Sequence, residues 1–147
     1  MSGVYHTNIE KKTIDNVFFR EVLATTNNQQ LVVMSIKPND DIPKEIHPKN
    51  DQFIRIEKGD GQAIIGEDGK EKHDLKDGSI IMIPAGTWHR IINTSSVNDL
   101  KLYTIYSPPH HPLGTVNVLK PKEDVVEKAI MGQKGGDYKY HKYKINT

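Results

Sequence analysis

Glu45, His47, Gln52 and His89 are the side chains of this sequence best spaced to do chemistry together. Glu45 and His47 stand two residues apart, which in a strand projects both from one face. Gln52 lies across a short turn on the next strand, where it can face them. His89 arrives from a distant segment, just after Pro84-Ala85-Gly86. There proline fixes φ and glycine tolerates positive φ, so a rigid turn would aim His89 inward on the return strand. One carboxylate, two imidazoles and one amide would then converge on a point. Two imidazoles and a carboxylate suit a divalent ion such as Fe, Mn, Zn or Ni. Gln52 is the poorer ligand, because its oxygen carries no formal charge. Each residue also has a plainer role open to it: a loop-holding histidine for His47 or His89, and a structural hydrogen bond for Gln52. Glu45 could equally be a general base, or a strand-edge carboxylate bridging to Lys44 or Lys49.

The remaining histidines and aromatics carry weaker signals. His110 and His111 sit in a proline-bounded turn, and neighbours in extended chain point apart, so both are expected as solvated turn residues. His6, His73 and His141 have no motif around them and receive no role. Tyr103 and Tyr106 have opposite strand parity, so only one of them can line a cavity. Phe53 and Trp88 are expected to pack rather than to stack on a ligand.

Short strands separated by turn signals must position these groups. Asn16 to Leu23 and Leu31 to Ile36 read as a hairpin around Thr25-Thr26-Asn27-Asn28. Asn39-Asp40-Asp41, with Pro43 close behind, breaks the chain. Gln52 to Glu57, Gln62 to Gly66, Ser79 to Ile83, His89 to Asn93 and Leu100 to Tyr106 follow as strands, punctuated by glycine-rich turns. This spacing suggests an antiparallel sandwich or barrel closed on itself. After Pro121 the pattern changes. Val125, Val126, Ala129 and Ile130 share a helical face, and Asp137 to Thr147 alternates Tyr and Lys. The expected division is N-terminal strands over 1–30, a barrel over 31–112, and a helix with an extension over 113–147.

Gly78, Pro84, Gly86, His89 and Asn93 reproduce in full the second motif of the cupin superfamily, which this chain resembles. The first motif is matched in part. His47 and Gly59 stand at their places, while Asn39 replaces its opening Gly, Glu45 its first His and Gln52 its Glu. Asp51 would take the carboxylate place at the shorter permitted spacing, but the six residues before Gly59 favour Gln52. The resemblance implies an all-β, double-stranded β-helix (jelly-roll) barrel, a metal at its mouth held by Glu45, His47, Gln52 and His89, and a homodimer. Asp51-Gln52-Phe53 and Tyr106-Ser-Pro-Pro-His-His-Pro112 also resemble small bacterial cupins labelled mannose-6-phosphate-isomerase-like. Implied activities are isomerisation, epimerisation or a lyase step on a small sugar or organic acid with Glu45 moving a proton, dioxygen chemistry with iron, or ligand binding without turnover.

The totals set outer limits. With 147 residues the chain fits one hydrophobic core. Twenty basic against 19 acidic residues, net +1, give no electrostatic footprint for nucleic acid or an anionic membrane. No cysteine is present, which removes disulfides, thiolate metal sites and cysteine nucleophiles together. Met1 to Glu10 shows no basic region followed by an apolar one, so no secretory signal is expected and a cytoplasmic location is the default.

Overall fold

In Gln30–Ile36 (β2), Asp51–Lys58 (β4) and Leu100–Ser107 (β9), every second side chain turns to one face of the pleat and is buried there. Antiparallel register lines those inward residues up in rows. Ile36 pairs with Leu100, and Leu102 lies between Met34 and Ile56. Thr104 then lies between Val32 and Ile54, and Tyr106 between Gln30 and Gln52. The interior therefore changes from hydrocarbon to polar side chains along three neighbouring strands. The site lies at the polar end.

The computed structural model describes residues 3–122, and within them the chain forms two antiparallel sheets and one short helix, α1 (Ile9–Asp15). The remaining strands are β1 (Arg20–Thr25), β3 (Asp41–Glu45), β5 (Gly61–Ile65), β6 (Glu71–Leu75), β7 (Ile80–Ile83), β8 (His89–Asn93) and β10 (Val116–Asn117). The six-stranded sheet has the order β10-β1-β2-β9-β4-β7, and the four-stranded sheet β3-β8-β5-β6. Ile42, Ala63, Leu75 and Ile91 of the smaller sheet meet Met34, Ile54, Ile56 and Leu102 of the larger in a single apolar core. This is the all-β double-stranded β-helix that the motifs imply. Among the described residues no helix is long and apolar enough to cross a membrane. The helix expected after Pro121 and the Tyr/Lys extension lie outside the described residues.

Several elements differ from expectation, each for a local reason. β1 begins at Arg20 rather than Asn16, and α1 precedes it. Asn8 caps α1 by accepting from Lys11 N at 3.0 Å, and a Lys11–Asp15 ion pair follows at 2.8 Å. α1 packs on the outer side of β2, β4 and β9. This accounts for the burial of Val33 and Ser35 on that side of β2. The stretch read as a break, Asn39 to Pro43, continues into β3. Proline is tolerated there because β3 is an edge strand whose register shifts between Ile42 and Glu45. β6 is marked in the sequence only by the turns on either side of it, Glu67-Asp68-Gly69-Lys70 and Lys76-Asp77-Gly78. Its Glu71, Lys72, His73 and Asp74 are all exposed, so it has no hydrophobic alternation to read, and such a charged edge discourages pairing with other chains.

Gly59, the closing glycine of the first motif, turns β4 into β5 with φ +97°. A Cβ at this position would lie 2.6 Å from Asp99 O and 3.1 Å from Leu100 Cα. Both neighbours are backbone and cannot swing aside. Gly59→Ala is therefore expected to lower unfolding free energy by about 2–4 kcal/mol, combining left-handed strain with overpacking. The shift of the urea midpoint at unchanged m-value measures it. A change below about 0.5 kcal/mol would contradict this account.

Candidate metal centre

Glu45 ends β3 and His89 begins β8, and the two are direct cross-strand partners in the smaller sheet. Ile65 of β5 pairs with His89 on its other side, so the ring is held within the sheet. His47 lies two residues beyond β3, outside any strand. Its carbonyl accepts from Gly86 N at 2.9 Å, so the Pro84-Ala85-Gly86 turn of one motif holds the histidine of the other. Glu45, His47 and His89 are all buried, and one ligand atom from each lies within 4.8 Å of the others. Glu45 Oε1 is 3.0 Å from His47 Nε2 and 3.6 Å from His89 Nε2.

The donor chemistry fits a cation. His89 Nδ1 lies 2.9 Å from the Thr87 carbonyl, a group that can only accept. That contact places the ring proton on Nδ1 and leaves a lone pair on Nε2. Nε2 is buried and has no hydrogen-bond partner among the described residues. That nitrogen thus faces a carboxylate oxygen in a buried setting, an unfavourable meeting until positive charge lies between them. A divalent ion supplies that charge with ligand types it accepts.

Gln52 comes from the opposite wall. Its Nε2 donates to Thr104 Oγ1 at 3.1 Å and to Tyr106 OH at 3.3 Å. This arrangement leaves Gln52 Oε1 buried without a hydrogen-bond donor among the described residues. The Tyr106 ring in turn meets His47 edge-on at 5.5 Å between centroids. Gln52 therefore adjoins the triad through Tyr106. Burial, and secondarily the charge of Glu45, push the Tyr106 phenol above its ordinary pKa, with Arg20 opposing. Tyr106 stays a neutral hydrogen-bond donor at any physiological pH. Asp51, the other candidate for Gln52's place, is exposed, and its carboxylate accepts from Ala85 N at 2.9 Å. It latches the turn before His89.

Of the two tyrosines, Tyr106 lines the interior, while Tyr103 faces outward with its ring 6.2 Å from Phe53. Trp88 is half-buried under the Lys44 ammonium, 5.3 Å from its ring. The expectation for His110 and His111 is overturned: both are buried, and the His110 ring centroid lies 4.2 Å from that of His47. The chain after β9 is not extended here, and the two rings lie 4.8 Å apart instead of on opposite sides. Their anchor is Gln30. Its inward parity on β2, a polar residue among Val32, Met34 and Ile36, was a sequence signal that something polar had to be met inside.

Residues 32–106 match the cupin domain family, and the chain belongs to it. It is 50% identical over 143 residues to the uncharacterized protein L612 of Acanthamoeba polyphaga mimivirus, covering 96% of this chain and 86% of that one. It is 47% identical over 116 residues to the uncharacterized protein YrkC of Bacillus subtilis, covering 77% of this chain but 62% of YrkC. The crystal structure of BH2720 from Bacillus halodurans is similar with a TM-score of 0.76 and 44% identity, covering 78% of this chain and 88% of that one.

Proposed function

We propose that this cupin holds a divalent metal ion between Glu45, His47 and His89, with Gln52 beside it, and acts on a small sugar or organic acid. The observation that carries the reading is the bare, buried Nε2 of His89 facing Glu45 across a gap that one ion can fill. When bound, the ion polarises a carbonyl or hydroxyl oxygen of the ligand. The chain's own groups supply the rest. Tyr106 can donate from its phenol and Gln52 can accept at Oε1, a pairing suited to a hydroxy or carbonyl compound. Glu45 can take and return a proton beside the reacting carbon, as isomerisation, epimerisation or a lyase step requires. The buried setting excludes bulk water from that transfer. The resemblance of the Asp51–Phe53 and Tyr106–Pro112 segments to mannose-6-phosphate-isomerase-like cupins supports a sugar. A cytoplasmic location belongs to the same reading.

The test begins with metal content of the purified protein after supplementation with Zn, Mn, Fe or Ni. We expect near-stoichiometric metal in the wild type and its loss in His47→Ala/His89→Ala. Equal, low metal in both proteins would sink the proposal. Turnover of phosphorylated sugars and keto acids, with and without dioxygen, then separates an isomerase from a dioxygenase or from a protein that only binds.

A homodimer is part of the proposal. β10 pairs with β1 only at Arg20 and Glu21, so the rest of the N-terminal hairpin remains one edge of the larger sheet. The edge at the other end of that sheet is β7, where Ile80 and Met82 are 52% and 72% exposed on its outer face. Apolar side chains on an edge strand suit a second copy of the same face. A gel-filtration mass of one chain at micromolar concentration would count against it.

A further inference from the structure

Gln30 is fully buried, and three of its four side-chain hydrogen bonds go to one loop. Its Oε1 accepts from His110 N at 3.1 Å and from His111 N at 2.8 Å. Its Nε2 donates to His111 O at 2.7 Å and to Thr25 Oγ1 at 3.0 Å. A second buried amide, Asn50, donates to Pro108 O at 2.6 Å and to Pro109 O at 3.3 Å in the same loop. Residues 108–111 are thus tied at every position by side chains from elsewhere in the fold. Such a loop could have left its imidazoles in water, where hydration costs nothing. Instead it places the His110 ring 4.2 Å from His47 at 66° and 5.0 Å from Tyr106 at 34°.

The two histidines of the proposed centre are held differently. His89 is inside a strand with its Nδ1 against the Thr87 carbonyl, so its ring orientation is set locally. His47 stands past the end of β3, with its Nε2 meeting Glu45 Oε1 at 3.0 Å and the rest of its ring bounded by side chains from elsewhere. The His110 ring and the edge of Tyr106 close on it from neighbouring directions. His110 is not among the three residues whose ligand atoms cluster. Its ring packs against one of the proposed ligands.

We propose that His110, clamped by Gln30, is a positioning residue that holds the His47 ring in the orientation that binds metal. The inference rests on the metal reading given above. Outer partners that orient a ligating imidazole typically contribute 10–100-fold to metal affinity. The contact with His47 is ring on ring, and on this proposal phenylalanine should replace His110 while alanine should not.

The test titrates metal-free, full-length protein with Co(II), whose visible absorption reports the coordination geometry, and reads Zn(II) affinity by competition. We expect His110→Ala to weaken binding about 10-fold or more and to shift the Co(II) spectrum. His110→Phe should stay within about threefold of wild type with its spectrum. Gln30→Met, which keeps the volume but releases the loop, should weaken binding in the same direction, and combining it with His110→Ala should add little further. This second route tests the clamp even if His110→Ala fails to fold. Wild-type affinity in both His110→Ala and Gln30→Met would overturn the inference while leaving the metal reading intact. A His110→Phe variant as weak as His110→Ala would also overturn it, because a ring nitrogen would then be what matters. A wild-type chain that takes up no ion would defeat the metal reading and this inference together.

Discussion

A His89→Ala variant should lose divalent-ion affinity by at least about 100-fold and still fold. One of three proposed protein ligands disappears, and Gln52, whose Nε2 is committed to Thr104 and Tyr106, offers only an uncharged Oε1 in exchange. Outer partners alone are worth 10–100-fold, so removal of a direct ligand should exceed that range. The fold should survive because His89 pairs through its backbone with Glu45 and Ile65, and those ladder bonds do not need the ring. Thermal unfolding reads both effects. Metal at about 100 times its dissociation constant adds roughly 2.7 kcal/mol to the wild type by mass action. The variant should show almost none of that rise at the same concentration. A metal-dependent stabilisation that survived intact would mean the ion binds elsewhere.

The second large effect is structural. Asn93, the last residue of the second motif, is buried at the end of β8. Its Nδ2 donates to Ile36 O, Lys37 O and Asn98 O at 3.0, 3.1 and 2.8 Å, and its Oδ1 accepts from Ser95 N at 2.9 Å. One amide thus joins the end of β2 in the large sheet to the β8–β9 loop of the small one. Asn93→Ala leaves these backbone groups short of partners, three of them carbonyls. At about 1–3 kcal/mol for each group left unsatisfied, and with water replacing some bonds, the net cost should be about 3 kcal/mol. For a domain of this size that is roughly a 10 °C fall in midpoint. Asn93→Asp should also destabilise, since a carboxylate cannot donate. If Asn93→Ala unfolds within about 2 °C of wild type, the bridge between sheets is unimportant.

These cases show which parts of the molecule could be read from the chain. His89–Asn93 was legible to the residue, because its turn, histidine and asparagine act through local geometry and fixed spacing. The meeting of Glu45 and His47 was legible from their separation, although they share a face across a strand end and not within a strand. β6 was not legible, because an edge strand of Glu, Lys, His and Asp carries no burial pattern. The placement of His110 was not legible either. It depends on Gln30, 80 residues earlier, and on Asn50, so no local rule about a proline-flanked turn could supply it. A polar residue at an inward-facing position was the available hint, and it names a need without naming a partner.

The proposed ligands and the groups facing them belong to different sheets. Glu45 and His89 ride on β3 and β8, with His47 just beyond, whereas Gln52, Thr104, Tyr106 and the His110 loop ride on β4 and β9. On the proposed reading, coordination and ligand choice are therefore largely separable inheritances, with the His110 loop bearing on both. Drift along β4 and β9 can retool which compound is accepted while the coordinating set stays constant. Relatives with the same chelate should then differ first along β4 and β9, and less in the loop that follows.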